Sequence, residues 1–368
     1  MNIGIDIRCL ADKNRTGVGE YTLGLLNALF ESSQEHQYYL FYNSFSDVSA
    51  YLPIWKHEHV HVIHTFWPNK LFHFCIKFLR YPKIDRLLQK EIDIFFSPNL
   101  HFTCLSKQVK HIQTIHDLSF EHFPEFFSVK RRLWHSFINP KVVCRNADLI
   151  ITPSHATRRD VIETYGIPDQ KVQTIHPGVL AQKRDVSSME EIKKAYDLPV
   201  KYILFLGTIE PRKNILALIR AFELSHLRSQ NFELIIAGSK GWKCGDILEV
   251  IDSTPGVRYI GYVPEGYKQS LYRAARVFVF PSLYEGFGFP VLEARRVGTT
   301  VITSHRSSLS EVGGHGVHYV NPMDISSLVR ALQYICSGQD SHPVELFEEG
   351  EHTWEEGVKQ FFSACKEI

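Results

Sequence analysis

Residues 281–298 read PSLYEGFGFPVLEARRVG and follow directly on the apolar run ARVFVF at 275–280. The run is β-branched and aromatic and has the length of a buried strand. Gly286 and Gly288 come next, in a turn, and Pro290 stands where a helix should begin, since its missing N–H costs nothing there. A strand, a Gly-rich turn and a helix start expose free backbone N–H groups to an anion. The same stretch carries two carboxylates, Glu285 in the turn and Glu293 in the first helical turn. Carboxylates are poor phosphate ligands but good acceptors for sugar hydroxyls. Together these features point to a ligand with both phosphates and hydroxyls, such as a nucleotide sugar.

Working outward, the same unit recurs upstream. Residues 202–206 form an apolar run, the turn GTIEPRKN at 207–214 follows, and residues 215–224 read as a helix. Arg212 and Lys213 put two cations at a helix start. That position runs against the helix dipole and favours a bound anion such as a pyrophosphate leaving group. Strand candidates at 232–237, 257–260, 300–303 and 317–320 complete this half.

In the first half, residues 3–7, 37–42, 92–96, 110–115 and 149–152 read as buried strands. The turn TGVG at 16–19 precedes a helix with apolar positions 21, 25, 26 and 29. A dinucleotide fingerprint is excluded, because Thr22 stands where its third glycine would be. His116 sits at the carboxyl end of a strand, the end that faces a ligand crevice in such sheets. Ser154 is placed to cap the helix that follows. His57, His59 and His61 alternate as on one strand face, with His64 beyond. A metal site is conceivable, but an exposed face is the simpler reading. Residues 65–90 carry Lys70, Lys77, Arg80, Lys83, Arg86 and Lys90 against Asp85 alone, interleaved with aromatics. Leu71, Phe74, Phe78 and Leu79 fall on one helical face. The stretch reads either as a membrane-surface element or as a core-facing helix with a basic back.

Composition narrows the class. The chain of 368 residues is long enough for two domains, and 44% hydrophobic with 22% charged residues is ordinary for a globular protein. A formal net charge of +1 argues against nucleic-acid binding through bulk charge. Seven cysteines lie scattered without a C-x-x-C pair, as expected in a reducing cytoplasm. The start has no signal-peptide pattern, and there is no apolar run of membrane-spanning length.

Glu285 and Glu293, with GFGFPVL between them, resemble the donor-site signature of the retaining glycosyltransferases of family four, which have the GT-B fold. The resemblance covers nearly the whole chain. It implies an α/β architecture of two doubly wound, Rossmann-like domains facing across a cleft. Residues 1–178 would be the acceptor side and 179–351 the donor side, with a helix at 352–368 returning to the first domain. It implies that Glu285 and His116 hold the donor hexose and Glu293 the ribose. Gly17 and Gly19 would lie near the phosphates, and the turn at Val263 would flank the base through backbone groups. Gly286, Phe287, Gly288 and Phe289 would line the donor. Lys213 matches the family's phosphate-binding lysine. The family's arginine position is Thr208 here, a departure that leaves Arg212 as the substitute. No cofactor and no metal are expected, since cations and amides carry the phosphate charge and no D-x-D motif occurs.

The stretches GVGEYT (17–22), HDLSF (116–120) and EPRKN (210–214) resemble those of bacterial mannosyltransferases of polysaccharide and lipopolysaccharide assembly. GDP-mannose is therefore the expected donor, against UDP-sugars, with a glycan or lipid-linked acceptor. An epimerase or phosphorylase of the same fold, or a non-catalytic nucleotide-sugar binder, remain alternatives.

Overall fold

Among the residues described by the computed structural model (1–11, 17–32, 34–179, 189–338 and 352–368), all paired strands run parallel, in two separate sheets. Residues 180–188, at the start of the stretch read as the donor-side domain, and Thr16 of the first Gly-rich turn lie outside the described residues.

The first sheet contains β1 (Asn2–Asp6), β2 (Gln37–Asn43), β3 (Val60–Thr65), β4 (Ile94–Ser97), β5 (Lys110–Thr114), β6 (Leu149–Thr152) and β7 (Val172–Thr174), in the order β3-β2-β1-β4-β5-β6-β7. The second contains β8 (Tyr202–Leu206), β9 (Glu233–Ala237), β10 (Val257–Gly261), β11 (Val277–Phe280), β12 (Val301–Ser304) and β13 (His318–Val320), in the order β10-β9-β8-β11-β12-β13. Each order reverses direction once, between β1 and β4 and between β8 and β11. Loops that leave a doubly wound sheet on either side of such a reversal splay apart and open a crevice at the strands' carboxyl ends.

The strands were legible because parallel sheets covered by helices bury both faces. All five residues of β8 and all four of β11 are buried. The sequence reading of two doubly wound α/β domains holds for both sheets.

The chain divides into two compact units. The first comprises residues 1–118, 133–180 and 352–368, and the second residues 119–132 and 181–351. The helix Trp354–Lys366 belongs to the first unit, where a Cβ built on Gly24 would lie 2.4 Å from the Trp354 ring. Phe361 packs edge-on against Phe96 of β4 at 5.0 Å. Within the stretch read as the N-terminal domain, residues 119–132 group with the second unit. Trp242 explains this: its Nε1 donates to the Phe126 carbonyl at 2.8 Å, Phe127 stacks on it, and the Arg131 guanidinium lies 4.1 Å from its ring centroid.

The four histidines of the 57–64 stretch form no metal centre. His59 Nε2 meets the Phe30 carbonyl, His61 Nε2 meets Gln37 Oε1, and His64 Nε2 meets the Ser44 carbonyl. Among the described residues, no group of His, Cys, Asp and Glu is arranged to hold a metal ion, and no helix is long and apolar enough to cross a membrane.

Candidate active site

In the second unit the loops after β8 and β11 flank the reversal of strand order and are laced together. The Leu283 N–H donates to the Arg212 carbonyl at 3.0 Å. Asn214, held in the left-handed region at φ 58°, donates its side-chain amide to the carbonyls of Pro281 (3.3 Å) and Pro322 (2.8 Å). One side chain thereby ties the ends of β8, β11 and β13.

Between these loops sits a buried charge cluster. Lys213 Nζ donates to Glu285 Oε1 at 2.6 Å, and Arg212 donates to Glu285 Oε2 at 3.0 Å. The Arg212 fork also grips Glu210 Oε1 from two nitrogens, at 2.8 and 3.1 Å, and reaches the Tyr284 carbonyl at 2.8 Å. Glu210 is 1% exposed, Glu285 7% and Lys213 8%. Burial pushes the Glu285 carboxyl upward, but the Arg212 and Lys213 charges outweigh it and hold the group below the ordinary glutamate value. Two cations and two carboxylates balance one another in a poorly solvated setting.

The turn after β11 is held by two serines from the segment that follows β12. The Glu285 N–H donates to Ser307 Oγ at 2.8 Å, while Ser308 Oγ lies 2.9 Å from the Glu285 carbonyl and 2.6 Å from that of Phe287. Ser307 itself sits at φ 52°, a strained conformation for a non-glycine residue. Gly288, at φ 117°, caps the helix Phe289–Arg296, which starts one residue before Pro290. A Cβ at Gly288 would meet Leu309 Cδ2 at 2.8 Å, so both conformation and space demand glycine there. Phe287 is buried and packs edge-on against Phe289 at 5.0 Å.

Glu293, half-buried on that helix, accepts a hydrogen bond from the Tyr272 hydroxyl at 2.9 Å, and Lys268 Nζ lies 4.0 Å from its other oxygen. Burial, then the Glu293 charge, raises the Tyr272 pKa well above the ordinary tyrosine value, so Tyr272 is a permanent donor. Val263 is buried, and Thr208 is half-buried against the loop at Gly241.

Two cations beside a carboxylate thus lie at the strand-order reversal of the second sheet. Comparison with known proteins gives the family. Residues 15–183 match the model of Glycosyltransferase Family 4, and residues 188–353 that of Glycosyl transferases group 1. Over 285 residues the chain is 30% identical to the O-antigen chain mannosyltransferase B of Escherichia coli, covering 74% of this chain and 74% of that one. The chain belongs to the GT-B glycosyltransferases. It is also 32% identical over 207 residues to the serotype-specific mannosyltransferase WbdA of Escherichia coli, which is 54% of this chain but only 25% of that longer protein. The sucrose-phosphate synthase of Thermosynechococcus elongatus shares the fold, with a TM-score of 0.72 at 17% identity, covering 100% of this chain and 98% of that one.

The remaining candidate residues of this glycosyltransferase lie in its first unit. Gly17 opens the helix Gly17–Ser32 and is exposed, while Gly19 is buried. Two residues on, Tyr21 packs edge-on against His116 at 4.8 Å, so the Gly-rich helix start and the strand-end histidine share one contact. His116 Nε2 lies 2.7 Å from the Pro98 carbonyl. Burial lowers its pKa despite that hydrogen bond, so the ring is neutral near pH 7 and Nε2 carries the proton.

The structure thus groups Arg212, Lys213 and Glu285 within the second unit and His116 with the Gly-rich helix start within the first. Glu210, Asn214, Ser307, Ser308 and Tyr272 went unassigned in the sequence. Glu210 stands in the same turn as the two cations, and its carboxylate beside Arg212 was the one available signal.

Proposed function

We propose that this glycosyltransferase transfers a hexose, mannose from GDP-mannose, to a glycan or lipid-linked acceptor in cell-surface polysaccharide assembly, without a metal and with retention of anomeric configuration. The observation that carries the reading is the Arg212–Lys213–Glu285 cluster at the strand-order reversal of the second sheet. Mannose and the polysaccharide context are drawn from the relatives' names.

The chemistry follows from the residues. The bond between the sugar C1 and the diphosphate oxygen breaks, and C1 bonds to the acceptor hydroxyl on the same face. The acceptor proton passes to the departing diphosphate oxygen. Lys213 and Arg212 stabilise the charge that grows on that oxygen, as positioned cations in a poorly hydrated site do. Glu285 orients the cations and accepts hydrogen bonds from hexose hydroxyls. Glu293, fixed by Tyr272, accepts from the ribose.

The test is thermal unfolding with GDP-mannose, GDP, UDP-glucose, UDP-N-acetylglucosamine and UDP-galactose. A ligand at tenfold its Kd adds about 1.4 kcal/mol of stability. That is a rise of roughly 3–6 °C for a domain of this size. The two guanosine ligands should raise the midpoint and the uridine ligands should not. The reverse pattern would overturn the donor assignment, and no rise with any ligand would overturn the donor site. The one-bond carbon–proton coupling at the anomeric centre of the product then reports retention or inversion.

A further inference from the structure

The helix Asn69–Phe74 runs into a wider turn at Cys75–Leu79. Phe72, Cys75 and Ile76 are buried, Phe72 and Ile76 in a core with Tyr39, Phe41, Ile84 and Phe95. That face suffices to hold the element on the first unit. The opposite face is also apolar and is uncovered: Leu71 is 49% exposed, Phe74 55%, Phe78 60% and Leu79 63%. The Phe74 and Phe78 rings pack together at 4.9 Å, and exposed Phe66 and Tyr81 flank them in sequence. The reading of a core-facing helix with a solvated basic back therefore fails, because the stripe predicted to face the core faces outward. Lone exposed apolar side chains are normal, but a contiguous group of this kind marks a surface meant to be covered.

The charge around it identifies the cover. Lys70, Lys77 and Arg80 are exposed beside the stripe, and no Asp or Glu occurs from residue 59 to residue 84. A second copy meeting this face symmetrically would set like charges against one another. An anionic bilayer offers both things the surface needs, headgroup charge for the cations and acyl chains for the rings.

We propose that Leu71, Phe74, Phe78 and Leu79, ringed by Lys70, Lys77 and Arg80, dock the protein on the surface of an anionic lipid bilayer. The surface does not depend on the donor assignment above.

Sedimentation with vesicles of phosphatidylglycerol and phosphatidylcholine in equal parts, against pure phosphatidylcholine, tests it. The full chain sediments with the anionic vesicles at low salt and is released at high salt, where charges are screened. F74S/F78S weakens binding at least about tenfold. Replacing each cation by glutamine weakens it about fivefold. The thermal midpoints of these variants stay at the wild-type value, because the altered side chains are exposed. Failure of the wild type to sediment with anionic vesicles would overturn the proposal. So would equal binding by F74S/F78S, or a concentration-dependent dimer abolished by that variant.

Discussion

Lys213 and Glu285 are 72 residues apart in the chain, yet Lys213 Nζ donates to Glu285 Oε1 across 2.6 Å. The pair joins the two loops that flank the strand-order reversal, so it clamps them together, and in the proposed function it also stabilises the leaving group. Removing one partner leaves the other charge buried and undercompensated. Lys213→Ala is expected to lower transfer about 10²–10³-fold. It should also cost roughly 1–3 kcal/mol of stability, because Arg212 still covers one Glu285 oxygen. Steady-state transfer rates and urea unfolding read the two effects separately. Activity equal to wild type would remove Lys213 from the site.

The pH dependence of stability has two windows. Burial holds His101 and His111 at about 4, against an ordinary 6.5, so folding favours their neutral forms. That contribution is complete above pH 6.5 and is lost as pH falls from there toward 4. Glu285 follows at lower pH: its folded value lies below the ordinary 4.5, so its contribution is complete above that value and is lost as pH falls through the folded one. Urea midpoints should therefore start to decline near pH 6.5. His111→Gln should flatten the upper part of the decline and leave the lower part in place. A profile flat from pH 7 to 5 would contradict the histidine assignment.

Tyr272→Phe deletes the hydroxyl that fixes Glu293 and nothing else. The expected loss of stability is about 1 kcal/mol. Glu293 then keeps only the longer contact to Lys268, at 4.0 Å, and samples more orientations. The KM for the nucleotide sugar should rise several-fold with kcat nearly unchanged, since the ribose is remote from the reacting bond. An unchanged KM would detach Glu293 from donor binding.

Gly24→Ala sets two effects of opposite sign against each other. Alanine gains about 1 kcal/mol of helix propensity over glycine. Its Cβ, however, would lie 2.4 Å from the Trp354 ring. Forcing a buried indole aside costs roughly 1–3 kcal/mol. The thermal midpoint should fall, and a combined Gly24→Ala/Trp354→Leu variant should recover part of the loss. A rise in the single variant would show that Trp354 is not tightly seated.

The architecture could be read from the sequence because parallel strands buried on both faces leave unbroken apolar runs, as VFVF in β11 does. Glu285, Arg212 and Lys213 were found because each sits in a short turn between a strand and a helix. Ser307 and Ser308 were not. Their role is to bond the backbone of residues 285 and 287, and no local pattern announces a partner more than twenty residues away. Periodicity found the apolar stripe at 71, 74, 78 and 79 but could not choose between a membrane surface and the core, since the helix has a second apolar face that meets the core. The attachment of residues 119–132 to the second unit rests on Trp242, 116 residues from the Phe126 carbonyl it bonds, and so could not be inferred locally.

The division of the chain has a consequence for the order in which the protein can form during synthesis. The first unit takes residues 1–118 and 133–180, but its helix at Gly17–Ser32 is covered by Trp354–Lys366. The unit made first therefore waits for a segment made after the whole of the second. Until residues 352–368 leave the ribosome, Gly24 and Gly178 face water where Trp354 will sit. A nascent chain spends that interval with one finished domain and one unsealed, and a truncation that stops short of residue 352 would leave it so permanently.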